Sequence, residues 1–172
     1  DISSILRGNV KFPFSLSSKE RKNLIFGDIR ERLFSVFTKD LIDISSIIDL
    51  GGCYGGFISL LAKSLPNKSY TLLDLGENIP LAAYYIVKVL KGFKINVVNS
   101  KSDVINQEPK IINLIPAHYF QNISKLNFDL FCNYVSLGEM SRFQFTEYIN
   151  SELYQKSKYK HIVNRFVSSP YY

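Results

Sequence analysis

The stretch that most constrains this chain is Ile47-Ile48-Asp49-Leu50-Gly51-Gly52-Cys53-Tyr54-Gly55-Gly56. An apolar run carries an acid near its end, four glycines fall within six residues, and the amphipathic Phe57-Ile58-Ser59-Leu60-Leu61-Ala62 follows. That order reads as a buried strand, a tight turn and a helix whose N-terminus faces the turn. Glycine takes positive φ without steric cost and lets a ligand approach the backbone closely. The first amides of the helix would meet an anionic part of that ligand. Such a loop also serves as a plain tight connection in α/β proteins, so alone it is not specific.

The second half of the signal lies one strand later. Ser69-Tyr70-Thr71-Leu72-Leu73-Asp74-Leu75 is another apolar run closing on an acid. Asp74 follows Gly51 by 23 positions, near the ~20-residue offset at which a carboxylate reaches a ribose hydroxyl in nucleotide-binding α/β folds. Strand, glycine loop, helix, strand and acid together point to an adenosine-containing ligand. A dinucleotide asks for G-x-G-x-x-G, and the register here is Gly51-x-Cys53-x-x-Gly56. A Cβ at Cys53 crowds a pyrophosphate lying on the turn. An NAD(P)-dependent oxidoreductase is therefore kept as an alternative only.

The loop instead resembles the first motif of S-adenosylmethionine-dependent methyltransferases, an acid followed by G-x-G-x-G, here Asp49-x-Gly51-x-Cys53-x-Gly55. Three further stretches narrow the resemblance to a bacterial sugar O-methyltransferase family. They are Tyr70-Thr71-Leu72-Leu73-Asp74-Leu75-Gly76-Glu77, Leu81-Ala82-Ala83-Tyr84-Tyr85, and residues 128–141. The last carries that family's N-x-x-S-x-x-E-M signature at Asn133, Ser136, Glu139 and Met140. Asn164-Arg165 is similar to its N-R after the fifth strand. Cys53 stands where the family has glycine, and Gly76 where it often has proline. The resemblance spans about Ile47 to Arg165, most of the chain.

It implies a Rossmann-like, three-layer α/β fold with a mostly parallel sheet in the order 3-2-1-4-5. It implies methyl transfer from S-adenosylmethionine to a sugar hydroxyl in bacterial surface-glycan biosynthesis, the acceptor being a sugar, sugar nucleotide or glycan. The cofactor would contact Asp49, Gly51, Gly52, Cys53, Tyr54 and Gly55 in the first motif, Asp74 and Leu75 after the second strand, then Ala117 and Asn133. Ser136 and Arg165 would meet the acceptor. Glu139 and His118 are the candidates for the base that takes the hydroxyl proton as oxygen bonds to carbon. A non-catalytic cofactor- or glycan-binding domain on the same fold is the second alternative, because fold alone does not specify function.

Other features set the frame. At 172 residues with 46% hydrophobic content, one structural domain with a real core is expected. Residues 1–46 read as a helical lead-in or lid and residues 47–172 as the cofactor-binding domain. Within the lead-in, Ser17-Ser18-Lys19-Glu20 is a capping-box pattern, and Asp28 precedes a helical face of Ile29, Leu33, Val36 and Phe37. The net charge is +6, yet the lysines are scattered and no Arg-rich run occurs. That pattern reads as a solvated basic surface rather than a nucleic-acid site. Cys53 and Cys132 make neither a disulfide framework nor metal-ligand spacing, and no metal cluster is evident, while a requirement for Mg²⁺ held by scattered acids is left open. Both are expected reduced and buried in a cytoplasmic protein. No run approaches the ~20 apolar residues of a bilayer span, and the oligomeric state is open.

The remaining elements follow from local signals. Asn78-Ile79-Pro80 opens a helix with Pro in its first turn, and Gly92 should end it. Residues 94–98 and 110–115 are both strand-like. The second is expected to be the third parallel strand, because Pro116 then leads into the loop bearing Ala117 and His118, and the first an extra edge strand. Residues 128–135 read as a strand buried on both faces, with Glu139 near the start of the next helix. His161 should open the last strand, which runs to Phe166. A complete methyltransferase sheet adds an antiparallel hairpin there. The stop at Tyr172 predicts either a minimal version of the fold or a cut chain, the cut being preferred, and the start without Met a processed chain or an excised fragment.

Overall fold

Residues 43–163 are described by the structure, a computed structural model. The two helices expected before Ile44, Asn164 and Arg165 lie outside the described residues. The chain divides between Asp43 and Ile44 into two units, and all that follows concerns the second.

Its elements are β1 (Ser46–Leu50), α1 (Gly56–Ser64), β2 (Ser69–Asp74), α2 (Ile79–Val89), β3 (Lys94–Val97) and β4 (Ile111–Pro116). They continue with α3 (Phe120–Ile123), β5 (Leu130–Tyr134), α4 (Arg142–Asn150), α5 (Glu152–Lys156) and β6 (Tyr159–Val163). Among the described residues six strands pair in parallel, in the order β3-β4-β2-β1-β5-β6. The expected five-strand order is present as β4-β2-β1-β5-β6, and the 94–97 run adds the extra edge strand beside β4. Parallel strands are joined by crossovers that cover both faces, so their central members are apolar along their whole length. β1, β2 and β4 are accordingly buried at every position.

Alternation along the strands assigns the two faces. Leu50, Leu73, Ile115 and Phe131 join a core with Phe120 and Ile123 of α3, Tyr148 of α4 and Leu153 of α5. Tyr70 and Leu72 point the other way. The hydroxyl of Tyr70 is shared between the carbonyls of Leu61 and Leu65 at the end of α1, at 3.1 and 2.7 Å, and burial pushes its pKa up. Each large apolar side chain buried this way contributes roughly 1.5–3 kcal/mol. The result is a three-layer α/β domain of Rossmann-like type. Among the described residues no helix is long and apolar enough to cross a membrane.

Polar groups stitch the sheet at defined places. At the amino edge, Asp129 Oδ2 accepts from the amides of Ser45 and Ser46 at 2.7 and 3.0 Å and from their hydroxyls at 2.8 and 3.3 Å. The loop after β3 is anchored by Asn113, fully buried on β4, which accepts from Asn96 at 2.8 Å and donates to Asn106 O at 2.8 Å.

Three expectations are corrected. β6 opens at Tyr159, whose N–H donates to Asp129 O at 2.8 Å, so His161 stands in mid-strand beside Cys132 instead of opening the strand. β5 closes at Tyr134 because Val135 turns to φ 72. Glu139 stands near the start of α4, as expected: it ends a 3-10 turn, Ser136–Glu139, just before the capping box between Ser141 and Gln144 that opens the helix. Cys53 is exposed at the tip of the glycine loop; only Cys132 is buried. Burial, with the Asp49 carboxylate nearby, pushes the Cys132 thiol well up and keeps it an inert core group.

Candidate functional site

Because these six strands are parallel, their carboxyl ends share one edge. The strand order reverses at β1, with β2 and β4 on one side and β5 and β6 on the other, which is where open α/β sheets bind ligands. The loop between β1 and α1 occupies that point. Gly51, Cys53 and Gly55 take φ of +72°, 51° and +80°. Gly51 N–H donates to Leu73 O at 2.8 Å, and Gly55 N–H closes the turn on Gly52 O at 2.9 Å.

The protein itself requires these glycines. A Cβ on Gly51 would overlap the Ser136 side chain, and one on Gly52 would lie 2.5 Å from Asp49 Oδ2. On Gly55 and Gly56 it would come within 2.7 Å of the Ile86 side chain and the Tyr54 ring. Asp49 is therefore a buried underlay of the loop. The loop's outward surface is Cys53, whose own Cβ costs nothing in packing because the residue is exposed.

Asp74 fastens the loop from β2. Its Oδ2 accepts the Cys53 N–H at 2.6 Å, and its Oδ1 accepts from Leu75 N–H at 2.6 Å and Asn78 Nδ2 at 2.8 Å. A carboxylate offers about four acceptor positions, so three hydrogen bonds leave one unspent on a residue that is 8% exposed. Leu75 follows with 52% exposure, an apolar surface beside that acceptor.

The β5 side is arranged differently. Asn133 is fully buried; it donates to Leu50 O at 2.8 Å and to Ser136 Oγ, and accepts from Leu137 N–H at 3.3 Å. Ser136 Oγ also donates to Leu50 O at 3.1 Å. Both side chains thus bond inward. Glu139, three residues on, is exposed.

His118 and Ala117 begin the turn after β4, and the His118 ring packs on Tyr119 and lies 3.8 Å from where a Cβ on Gly76 would stand. β4 and β5 are three strand spacings apart in this order, about 14 Å at ~4.8 Å each. His118 and Glu139 therefore flank opposite sides of the glycine loop and do not form one acid–base pair.

Aromatic groups wall the loop. Tyr54 meets Tyr85 of α2 edge-on, with centroids 4.9 Å apart, and Phe57 of α1 packs on Tyr134 at 4.5 Å. Tyr134 Oη shares a hydrogen bond of 2.8 Å with His161 Nε2. Burial lowers the His161 pKa to about 4, so the ring is neutral at pH 7. Among the described residues no group of three or more His, Cys, Asp and Glu converges as a metal site.

Sequence reading missed the Ser136–Gly51 fit, the left-handed Val135 and the Tyr134–His161 pair. The last was findable in principle, since parallel pairing of residues 130–134 with 159–163 brings the two side chains together. Nothing local marks Val135.

Among solved structures, the chain is similar to the methyltransferase domain of bacterial CtHen1, with a TM-score of 0.52 and 14% identity over 76% of this chain and 62% of that one. It is similar to the mitomycin 7-O-methyltransferase MmcR, with a TM-score of 0.52 and 11% identity over 98% of this chain and 44% of that one. At such identities the likeness shows the fold, the Rossmann-like fold of methyltransferases. The chain spans less than two thirds of the length of either structure. Neither a protein-family profile nor a curated protein matches the sequence.

Proposed function

We propose that this domain transfers a methyl group from S-adenosylmethionine to a hydroxyl, and that the acceptor is a sugar, sugar nucleotide or glycan of bacterial surface-glycan biosynthesis. The observation that carries the reading is Asp74, which holds the glycine loop through Cys53 N–H and keeps one acceptor position beside exposed Leu75. The residues present suit a nucleoside with an amino acid end. Asp74 can accept a ribose hydroxyl, Leu75 offers an apolar face to the base, and an exposed Cys53 is tolerable where no pyrophosphate must pass. The sugar specificity rests on the N-x-x-S-x-x-E-M resemblance, and the cytoplasmic placement on two unpaired cysteines.

When bound, S-adenosylmethionine supplies an activated methyl on a sulfonium, so the protein's main task is alignment of the attacking oxygen. Asp74 and Leu75 on the β2 side would hold the adenosine end, and the glycine loop, beside the turn after β5, the amino acid end. Glu139 is then the better placed base, and His118 lies on the adenosine side with Ala117. Arg165 stays a proposed acceptor contact beyond the described residues. Residues 1–46 are proposed as a lead-in to the cofactor-binding domain.

Calorimetric titration with S-adenosylhomocysteine and with NAD tests the reading. Saturable binding of the first, weakened by Asp74→Ala, is the expected result and justifies an acceptor screen with sugar nucleotides. Binding of NAD alone overturns it. In that screen Glu139→Gln should lower kcat more than His118→Gln does.

A further inference from the structure

The turn after β5 is locked to the end of β1, and the lock consumes two side chains that the signature would assign to ligands. Asn133 directs both amide hydrogens inward, to Leu50 O and Ser136 Oγ, while its carbonyl accepts Leu137 N–H. The Ser136 hydroxyl donates to the same Leu50 carbonyl and fills the notch left by the missing Cβ of Gly51. An amide has two donor hydrogens and a hydroxyl one, so neither group keeps a proton to offer a ligand. Between them Val135 sits at φ 72, ψ −33, a region costly for a β-branched residue. Its N–H donates to Val163 O at 2.6 Å and its carbonyl accepts Gly138 N–H at 2.9 Å. Strain of this kind persists only where the surroundings over-determine it.

We propose that Asn133, Val135 and Ser136 are positioning residues which clamp the Glu139-bearing turn onto the carboxyl end of β1, so that the glycine loop and this turn respond as one unit. The reason is adjacency. The shared acceptor, Leu50 O, immediately precedes Gly51, and Ser136 packs on Gly51 itself. Anything pressing on the glycine loop is felt by the turn without an intervening soft contact. What the two loops bind rests on the methyl-transfer reading above; the clamp itself belongs to the ligand-free protein.

The test is amide hydrogen exchange of wild type and Ser136→Ala, with and without S-adenosylhomocysteine, beside its calorimetric affinity. In the free variant the Leu137 and Gly138 amides should exchange about tenfold faster, because local opening no longer breaks the Ser136 bond. Ligand should slow these amides about fivefold in wild type and not in the variant, while Kd stays within about threefold. A serine with a merely structural role would leave that ligand-induced protection in place. Val135→Gly, which keeps every hydrogen bond of the turn but loosens the backbone between Asn133 and Ser136, should fold and weaken the protection as well. A Kd weakened about tenfold with unchanged exchange in the free variant would make Ser136 a direct ligand contact and overturn the clamp. Protection that survives in both variants would overturn it too. If wild type binds no S-adenosylhomocysteine, the methyl-transfer reading fails, and the clamp is judged on the free exchange rates, where unaccelerated Leu137 and Gly138 would sink it.

Discussion

At the amino edge of the sheet Asp129 gathers four hydrogen bonds from Ser45 and Ser46 onto one oxygen, whereas at the carboxyl edge Asp74 spreads three over both. The two acids use the same chemistry on different cargo. Asp129 joins the starts of β1 and β5, which the ladder already holds in register. Asp74 holds a loop with three left-handed residues and an exposed tip. An acid at a sheet edge is therefore no ligand site by itself; the segment it fastens decides.

The largest way to break this comparison is through packing at the carboxyl edge. Gly51→Ala drives a methyl into Ser136 at a left-handed backbone, and should cost roughly 3 kcal/mol or more in urea denaturation. Next come the two acids. Asp129→Ala should lower stability by about 2 kcal/mol and leave S-adenosylhomocysteine affinity within about threefold. Asp74→Ala should weaken that affinity about thirtyfold, close to 2 kcal/mol. Equal weakening by Asp129→Ala would erase the distinction between the edges.

Acid titration separates the two sides more finely. Burial lowers the His161 pKa to about 4 from the ordinary 6.5. The unfolded chain therefore takes up the proton first, and stability falls as pH drops from about 6.5 to about 4. The group is only partly buried, so the loss should be about 1–2 kcal/mol after solvent screening, and His161→Gln should flatten it. Asp129 acts below that window. Burial raises its pKa, but the bonds from Ser45 and Ser46 outweigh burial and leave it lowered. Its contribution is present above the unfolded carboxylate pKa and is lost as pH falls through the folded one. Asp129→Asn should remove that last segment.

The smallest effect expected is at Gly92, which has φ +81° and nothing within 4 Å of an added Cβ. Gly92→Ala should cost only about 1 kcal/mol, from backbone strain alone. The difference from Gly51→Ala measures how much of the loop's glycine requirement comes from packing.

The strands, the glycine loop, the extra edge strand and the sheet order were legible in the sequence because their causes are local. Apolar runs, a Pro at a helix start and glycines at turns act on neighbouring residues, and parallel crossovers then leave few arrangements. Asp74 was legible for the same reason, since its offset from the loop follows from one strand–helix–strand unit. What Asn133, Ser136 and His161 touch was decided only by tertiary structure. Ser136 meets Leu50 from 86 residues away, and His161 meets Tyr134 through a register that starts two residues earlier than its apolar pattern suggests. The separation of His118 from Glu139 likewise depends on which strands lie between them. Residue types announce capacity to bond; only the packed sheet selects which capacity is spent inside the protein and which is left for a ligand.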